Sequence, residues 1–343
     1  MSFSFNKYAK TGFVIGEVAQ SHDGSLGACF AYAKAVADAG GHAVKFQTHI
    51  AEAESTPGEP WRVKFSKQDS TRYEYWQRME FTPENWKDLK EYVESLGLVF
   101  MSSAFSFEAV DLLDEIGMEV WKLASGEINN YPLLERIAQT GKPVIISSGM
   151  SYWAELDKAV ELFKKSGIPY AIMQCTSAYP CPPDEIGLNV IPEMIERYRC
   201  PVGLSDHSGT IYPGLAGAAL GMDMLEVHIT FDRRQFGPDV PASVTMDEFE
   251  HLVKGLEQIK TMIANPIDKD AKADSLLNLR NLFTKSIVAK REIKAGKIIS
   301  EDDLCFKKPG TGIPAEEVGK LIGKKAVNNI KANSLIEKSD FEG

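Results

Sequence analysis

Short apolar segments alternate with longer amphipathic stretches along most of the chain. Eight apolar, β-branched segments are the predicted strands, at residues 13–19, 42–48, 98–104, 119–125, 143–149, 170–176, 201–207 and 224–230. Several stretches between them repeat apolar residues every three to four positions and end in glycine, which is typical of helices. Strands that alternate with helices favour an α/β fold with a parallel sheet. Eight such units predict a (β/α)8 TIM barrel whose last helix lies near residues 246–264.

The chain is predicted to contain two domains. Residues 1–265 form the barrel, and residues 266–283 form a polar linker. Residues 284–343 contain a near repeat, since IKAGKIISEDDL at 293–304 returns as IKANSLIEKSDF at 330–341. A repeat of this kind predicts a compact module with two related halves. Because so small a module has a small core, we expect it to dock on the barrel or on another subunit.

The segment 49–80 is too long for an ordinary connection between a strand and a helix. It is rich in charged and aromatic residues. Long connections within compact domains are usually functional or disordered. We expect this segment to act as a lid over the site or as an interface element.

Composition and charge exclude several classes of function. The 343 residues carry a formal net charge of −10, so non-specific binding to nucleic acid or to an anionic membrane is not expected. An anionic small substrate would need a locally basic pocket. The five cysteines are scattered without a CxxC pair, which indicates reduced thiols. With no signal peptide and no apolar run of roughly 20 residues, we expect a cytoplasmic protein without a membrane span.

Polar side chains lie where the predicted strands end, which is where TIM barrels carry their active sites. Alternation along a strand directs Lys45 and Gln47 to one face, and Lys122 is placed in the same way. Hydroxyl-bearing and acidic residues accompany them at the strand ends, namely Glu17, Ser103, Ser125, Glu127, Ser147, Ser148, Thr176, Ser177 and Ser205. Two lysines among several hydroxyls predict a pocket for a phosphate or a carboxylate. A lysine that forms a Schiff base, as in an aldolase, is the alternative chemistry for Lys45 or Lys122.

His207 and His228 end the seventh and eighth strands and are expected to be neighbours. With Glu17 from the first strand they predict an open metal site for Mn²⁺, Zn²⁺ or Fe²⁺, and the acidic, oxygen-rich surroundings favour Mn²⁺ or Mg²⁺. Such a metal would polarise a substrate carbonyl. His22 lies just beyond the first strand, where it could bind a substrate hydroxyl. We assign no chemistry to the remaining histidines, which are His42, His49 and His251.

These segments together resemble the sialic acid synthase family, in particular bacterial N-acetylneuraminate synthases. The resemblance rests on HAVKFQTH, KLASGEINNYPLL, ISSGM, QCTSAYP, GLSDHS, LEVHIT and GPDVPAS, all in family order. The C-terminal module, from IVAKREIKAGKIISEDDLCFKKPGTGI to IGKKAVNNI, resembles the antifreeze-like SAF domain of that family, which has a β-clip fold. The resemblance covers nearly the whole chain.

The resemblance implies that phosphoenolpyruvate condenses with an open-chain N-acylated hexosamine, giving a nine-carbon 2-keto-3-deoxy sugar acid and phosphate. It implies that His207 and His228 bind the metal, most often Mn²⁺, with Mg²⁺ or Co²⁺ as alternatives, and that Glu17 lies beside the reacting end of phosphoenolpyruvate. The residues implied to surround phosphoenolpyruvate are Lys45, Ser103, Lys122, Ser125, Ser148, Ser177 and Ser205. Those implied to face the sugar are Gln47, Glu127, Tyr179 and Asp239. Glu17, Lys122 and Glu127 are the implied catalytic residues.

The sequence departs from the family pattern at several positions. Gln20 and Ser21 change the rim after the first strand, and Ser103 and Ser177 replace a threonine and an asparagine. Lys308 occupies the place of an arginine that, in relatives, reaches the partner's sugar N-acyl group across a domain-swapped homodimer. Lysine lacks the bidentate fork of arginine, so a different acceptor is a clear alternative.

Three alternatives remain open. A legionaminate-type synthase would use 2,4-diacetamido-2,4,6-trideoxymannose in place of N-acetylmannosamine. A Schiff-base aldolase would not need the metal. In a non-enzymatic alternative, the C-terminal module, residues 284–343, would bind ice or carbohydrate by itself, and the barrel would serve as a scaffold.

Overall fold

The computed structural model describes residues 3–8 and 12–342 of the chain. The barrel strands β1 to β8 span Phe13–Glu17, Ala43–Thr48, Val99–Ala104, Trp121–Leu123, Val144–Ser147, Tyr170–Cys175, Val202–Asp206 and Met224–Thr230, and a short strand β9 spans Val244–Thr245. The helices α1 to α10 span Leu26–Asp38, Ala51–Glu54, Arg72–Met79, Pro83–Ser95, Phe107–Glu115, Tyr131–Gln139, Trp153–Lys165, Val190–Tyr198, Tyr212–Ala219 and Met246–Ala264.

The strands form the predicted barrel. Their order is β3-β2-β1-β8-β7-β6-β5-β4, and all hydrogen-bonded neighbours are parallel. β3 and β4, at the two ends of this order, lie side by side, so the barrel is nearly closed. The (β/α)8 prediction is confirmed, and the last helix occupies residues 246–264 as expected. Seven of the eight strands are one to four residues shorter than predicted, and β8 has the predicted bounds.

Inward-facing side chains change from apolar to polar along each strand. On β1, Phe13 and Ile15 precede Glu17, and on β8 Met224 precedes Glu226. The apolar members form one buried cluster, which contains Phe3, Tyr8, Phe13, Ile15, Ala43, Met101, Val120, Ile145, Ala171, Met173 and Met224. Because parallel strands all end at the same rim, the polar members of the inward face collect there.

The helices cover the outer face of the barrel. Trp86 of α4 packs against Phe46 of β2 and Phe100 of β3, with ring centroids 6.1 and 6.3 Å apart. Several of them start at a side-chain cap, of which Thr245 is an example. Its hydroxyl accepts from the backbone N–H of Glu248, whose carboxylate accepts from the backbone N–H of Thr245 in return. Each capped helix can therefore begin close to a strand end without leaving backbone N–H groups unpaired.

The segment 49–80 has a small core of its own, for which we use the name insertion. α2 and α3 lie within it, and its buried residues Ala51, Tyr75, Trp76 and Met79 pack with Trp61, Phe65 and Tyr73. The start of α2 is held by Glu80, whose carboxylate accepts from the N–H of Ala51 at 2.7 Å. An insertion with its own packing can present side chains to the barrel mouth at fixed positions.

A second compact unit spans residues 266–343. The predicted linker contains two short helices, α11 at Lys269–Ser275 and α12 at Leu277–Phe283, and the hairpin strands β10 and β11 follow at Ser286–Ala289 and Leu304–Lys307. The small antiparallel sheet of β10 and β11 agrees with the predicted antifreeze-like SAF module. Among the residues that the structure describes, no helix combines the length and the apolar character that a bilayer crossing requires.

The two sequence repeats of this unit are also repeats in three dimensions. Ile293 and Ile330 are equivalent residues, and their backbones pair with each other through two hydrogen bonds of 2.9 and 2.8 Å. The pairs Ala289 with Leu304 and Ala326 with Phe341 are likewise equivalent. The two halves are therefore related by an approximate two-fold axis that passes between the two isoleucines.

Candidate active site

A cavity of about 460 Å³ lies at the carboxyl ends of the barrel strands. Thirteen of the site residues predicted from the sequence line it, and they are Glu17, Lys45, Gln47, Ser103, Lys122, Ser125, Glu127, Ser177, Tyr179, Ser205, His207, His228 and Asp239. A cavity of this size is typical of small-molecule sites. The barrel thus brings together residues that lie up to 222 positions apart in the chain.

Two lysines and two glutamates form a buried quartet at the base of the cavity: Glu17, Lys45, Lys122 and Glu226. Lys45 Nζ lies 2.8 Å from Glu17 Oε2, and Lys122 Nζ lies 3.2 Å from Glu226 Oε1. A longer contact of 3.9 Å joins Lys45 to Glu226. The quartet is a locally basic pocket within an acidic protein only if its glutamates are not both ionised.

The surroundings of the two glutamates separate their pKa values. Burial raises the pKa of Glu17 to about 7, against the opposing effect of Lys45. Burial also disfavours the charged form of Glu226, but Lys122 and Lys45 outweigh it and lower the pKa of that carboxyl to about 2. With Glu226 ionised and Glu17 able to hold a proton, two lysines face a single full negative charge. The quartet therefore has room for an added anion.

Small residues and hydroxyls surround the quartet. Lys122 donates to Ser147 Oγ at 2.6 Å, and Lys45 donates to Ser103 Oγ at 3.4 Å. The backbone N–H of Gly149 donates to Ser125 Oγ at 3.0 Å, and a Cβ at Gly149 would lie 2.4 Å from Ser177 Oγ. Only glycine fits this position, so the hydroxyls form a close-set cradle of hydrogen-bond donors beside the lysines.

His207 and His228 lie together at the cavity wall, with ring centroids 5.1 Å apart. Burial lowers the pKa of each to about 3, so both rings are neutral near pH 7. His207 Nδ1 lies 3.0 Å from the carbonyl of Thr176, which fixes the tautomer with a lone pair on Nε2. His228 Nδ1 is buried without a hydrogen-bond partner among the described residues, and Asp239 Oδ2 lies 4.0 Å away.

This histidine pair fits an open metal site. Neutral imidazoles with a free lone pair are what a divalent cation requires, and in His207 the hydrogen bond to Thr176 also fixes the tautomer. Glu17 does not join them as the sequence analysis expected, because Lys45 and Gln47 hold its carboxylate, the latter through a 2.9 Å hydrogen bond. Within residues 3–8 and 12–342 no group of three or more histidine, cysteine or acidic side chains is arranged around one metal position. Further ligands would have to be substrate or water.

Three predicted residues lie elsewhere. Ser148 does not line the cavity: its hydroxyl donates to the carbonyl of Met173 at 3.0 Å, and Ser147 faces the lysines instead. Lys308 belongs to the second unit, where its ammonium lies 4.7 Å from the ring centroid of Phe283. The buried His22 accepts from the N–H of Gly24 at 3.1 Å and so supports the loop after β1.

Several cavity residues are missing from the sequence prediction. Glu226 could have been found, because it lies two positions before His228 and alternation directs both side chains inward. No pattern in the sequence indicated Arg62, which reaches in from the insertion, contacts Asp239 at 2.5 Å and covers the Tyr179 ring at 4.6 Å. His49, to which we assigned no chemistry, also lines the cavity.

Known proteins match this chain along nearly its whole length. The profile of the NeuB family matches residues 32–268, and that of the SAF domain matches residues 284–342. The chain is 33% identical over 333 residues to the N,N'-diacetyllegionaminic acid synthase of Campylobacter jejuni, which covers 95% of this chain and 99% of that relative. It is 31% identical over 329 residues to the N-acetylneuraminate-9-phosphate synthase of Homo sapiens, with 94% and 91% covered.

A solved structure agrees with these matches. The crystal structure of the N-acetylneuraminic acid (sialic acid) synthetase from Leptospira borgpetersenii, in complex with citrate, superposes with a TM-score of 0.70 at 30% sequence identity. The superposition covers 80% of this chain and 92% of that one. The two matching profiles correspond to the barrel and to the C-terminal module.

Proposed function

Because the chain belongs to the NeuB family of synthases, we propose that it condenses phosphoenolpyruvate with an open-chain N-acylated hexosamine such as N-acetylmannosamine. The products are a nine-carbon 2-keto-3-deoxy sugar acid and phosphate. The observation that carries this proposal is the presence, in one cavity, of the lysine–glutamate quartet, the hydroxyl cradle and the neutral histidine pair. The quartet and cradle suit an anion, and the histidines suit a group that activates a carbonyl.

Phosphoenolpyruvate would occupy the base of the cavity. Lys45 and Lys122 supply the cations for its phosphate and carboxylate, and the seryl hydroxyls with the backbone near Gly149 supply directed hydrogen bonds. Glu226 keeps both ammonium groups in place, because it contacts Lys122 and Lys45 together. The enol carbon C3 would then face the wall that carries the histidines.

His207 and His228 would hold a divalent cation, for which Mn²⁺ is our proposal. When bound there, such a cation would polarise the acceptor aldehyde as a Lewis acid. Asp239, Tyr179 and Arg62 lie next to the histidines and would orient the sugar chain. The aldehyde carbon is thereby presented to C3 of phosphoenolpyruvate.

The proposed reaction has two stages, formation of a carbon–carbon bond and release of phosphate. A bond forms between C3 and the aldehyde carbon, and the aldehyde oxygen takes up a proton to become a hydroxyl. Water adds at C2 and releases one proton, which leaves a hydroxyl there. The C2–O bond to phosphate then breaks, the hydroxyl proton leaves with the phosphate as hydrogen phosphate, and C2 becomes the ketone of the 2-keto acid. Glu17, at the end of β1 and 2.8 Å from Lys45, is the group that we propose to carry these protons: its carboxylic acid gives a proton to the aldehyde oxygen, and the resulting carboxylate then receives the proton of that water.

The test is phosphate release from phosphoenolpyruvate with Mn²⁺ and a panel of acceptors: N-acetylmannosamine, its 6-phosphate, mannose and 2,4-diacetamido-2,4,6-trideoxymannose. We expect release that needs both an acylated amino sugar and a divalent metal, and that EDTA abolishes. Turnover without metal would contradict the proposal. Trapping of a covalent adduct on Lys45 or Lys122 with borohydride would instead support the aldolase alternative.

We further propose a cytoplasmic, domain-swapped homodimer in which Lys308 reaches the partner's acceptor. The α12 residues Leu277, Leu282 and Phe283 each expose 57–59% of their surface, which favours burial against another subunit. Sedimentation of the full chain should give a dimer, and Lys308→Arg should lower KM for an N-acylated acceptor. A fully active monomer would contradict this arrangement.

A further inference from the structure

A series of hydrogen bonds joins the insertion to Glu17. At its outer end His49 Nδ1 lies 2.6 Å from Glu54 Oε1, and the two side chains are 5% and 7% exposed. His49 Nε2 lies 3.3 Å from the amide nitrogen of Gln20, which in turn donates to Gln47 Oε1. Gln47 Nε2 then donates to Glu17 Oε1 at 2.9 Å. We call Glu54, His49, Gln20 and Gln47 the amide network.

The His49 ring is held in place on both faces. It is stacked between Trp76, with ring centroids 4.0 Å apart, and Phe105, at 4.8 Å. Because the carboxylate of Glu54 only accepts hydrogen bonds, the ring proton belongs on Nδ1. The neutral ring then has its lone pair on Nε2, where it accepts from Gln20. With the proton on Nε2 instead, a lone pair would face the carboxylate and an N–H would face the amide N–H of Gln20.

Gln20 reaches the network from a strained turn. Ala19, directly before it, has a φ of 43°, in the left-handed region that costs a residue with a Cβ about 1–2 kcal/mol. Strain of this kind persists only where the surrounding structure holds it, and it is concentrated at functional sites. Gln20 is 5% exposed and lines the cavity. It is also a position where this sequence departs from the family pattern, so the network is a feature of this protein.

The network decides which way the Gln47 amide faces. Its oxygen accepts from Gln20, so its NH₂ group faces Glu17 and donates to Oε1. Since Oε1 accepts this bond, a proton on the carboxyl group is carried by the other oxygen, Oε2. Lys45 Nζ lies 2.8 Å from Oε2 and can only donate to it. The Oε2 proton is therefore available to a reactant in the cavity.

The opposite orientation of the Gln47 amide would withdraw this proton. If the amide turned over, its carbonyl oxygen would face Glu17 Oε1, and the carboxylic acid would donate to that oxygen. A proton held in such a bond points at the cavity wall and not at a reactant. A glutamine amide by itself can adopt either orientation, so the choice depends on Gln20 and His49.

We propose that the amide network is a positioning device for Glu17: His49, acting through Gln20 and Gln47, keeps the proton of this carboxyl group on Oε2. The inference rests on the proposed function, in which Glu17 gives a proton to the aldehyde oxygen and later receives one from water. Both protons are exchanged between Oε2 and the reactants, and none passes along the network. His49 and Gln20 are thus positioning residues.

The kinetic test uses His49→Phe and Gln20→Met in the full chain, with phosphoenolpyruvate, Mn²⁺ and the acceptor that supports phosphate release. His49→Phe keeps a ring between Trp76 and Phe105 and removes both nitrogens. Each variant should lower kcat about 10–100-fold, which is part of the roughly 10²–10⁴-fold effect of a positioned acid or base. KM for phosphoenolpyruvate should not change, because neither residue contacts the lysines or the hydroxyl cradle.

The double variant distinguishes positioning from a general loss of structure. Because both substitutions break the same network, combining them should slow the reaction no further than either one does. His49→Gln supplies an amide oxygen that can accept from Gln20, and it should recover most of kcat. His251→Phe, an exposed change on α10, is the control. Losses that multiply, an unchanged kcat in the single variants, or a rise in KM for phosphoenolpyruvate that accounts for the loss would overturn the inference.

Thermal melts identify any variant that fails to fold. If His49→Phe does not fold, Gln20→Met still tests the network, since it leaves the aromatic stack intact.

A spectroscopic test does not depend on turnover. In protein labelled with ¹⁵N-histidine, the NMR signals of His49, identified by their loss in His49→Phe, should show a neutral ring with its proton on Nδ1. Glu54→Gln can donate as well as accept, so it should release this tautomer. A proton on Nε2 in the natural sequence, or no change in Glu54→Gln, would overturn the network. If no acceptor supports phosphate release, the proposed function falls, and the tautomer of His49 by itself decides the network.

Discussion

Glu226 Oε1 lies 3.2 Å from Lys122 Nζ, although β8 and β4 are on opposite sides of the barrel. The same oxygen accepts from Ser205 Oγ at 2.9 Å. The contact therefore crosses the barrel interior, where both side chains are buried. The Glu226 carboxylate contacts both Lys122 and Lys45, so its negative charge offsets part of the positive charge that an incoming anion meets.

Glu226→Gln should destabilise the free protein and strengthen its response to phosphoenolpyruvate. Removing one member of a buried ion pair costs about 3–5 kcal/mol, because the remaining charge loses its partner. Phosphoenolpyruvate can supply that partner, so the rise in Tm on adding it should be larger than for the natural sequence. Urea unfolding and thermal melts measure both effects. Glu161→Gln, an exposed change on α7, is the control. An unchanged free energy of unfolding for Glu226→Gln would contradict the role of the quartet in balancing the buried charges.

Gly149→Ala should block the phosphoenolpyruvate pocket. The added Cβ would lie 2.4 Å from Ser177 Oγ and 2.6 Å from Ser125 Oγ, so the cradle would have to open. We expect KM for phosphoenolpyruvate to rise, or kcat to fall, by about 100-fold, the effect of displacing binding groups by about 1 Å. Gly27→Ala, in α1, is the control, because a Cβ there would meet only Ser25 Oγ at an ordinary contact distance of 3.7 Å. Normal kinetics for Gly149→Ala would place the anion elsewhere.

His207→Ala and His228→Ala should each weaken Mn²⁺ binding by about 10–100-fold or more. Replacing a residue that only orients a metal ligand already lowers metal affinity by that factor, and these substitutions would remove the ligand itself. Equilibrium dialysis measures the affinity directly, without turnover. His251→Ala, an exposed change on α10, should bind Mn²⁺ normally. Unchanged affinity in the two cavity variants would exclude this pair as the metal site.

The stability of the C-terminal unit should fall in acid through Asp303. Its carboxylate accepts from Ser300 Oγ at 2.9 Å and contacts Lys297 Nζ at 2.6 Å, and the hydrogen bond from Lys297 is the main cause that lowers the pKa of Asp303 to about 2. An unfolded aspartate has a pKa of about 3.9. Because the folded pKa is the lower one, this stabilisation is complete well above pH 4 and is lost as the pH falls toward 2.

Hydrogen exchange of residues 286–307 in the full chain measures this loss as a fall in protection factors between pH 5 and pH 2. Asp303→Asn should remove most of the pH dependence and cost about 1.5–3 kcal/mol at neutral pH. Asp340→Asn is the symmetry-related control, since Asp340 accepts from the N–H of Glu337 at 2.9 Å and has no ion-pair partner among the described residues. Equal effects of the two substitutions would contradict the role of Lys297.

Much of the barrel was predictable because its signals are local. Apolar runs separated by amphipathic stretches identify strands and helices, and alternation along each strand decides which side chains face inward. This is why Lys45, Lys122 and His228 could be placed at one rim from their positions alone. The repeat in the C-terminal module was predictable for the same reason, since Ile293 and Ile330 lie in matching segments.

The sequence by itself thus determined the barrel, the second module and the set of inward-facing polar residues. Only the tertiary structure decided which of these residues contact each other: Glu226 with Lys122 across the barrel, Ser147 and not Ser148 beside the lysines, and His49 with Glu54 in the insertion. The physical reason is that periodicity sets the direction of a side chain relative to its own strand or helix. Contacts between distant segments depend on how strands curve and insertions fold, which no local pattern records.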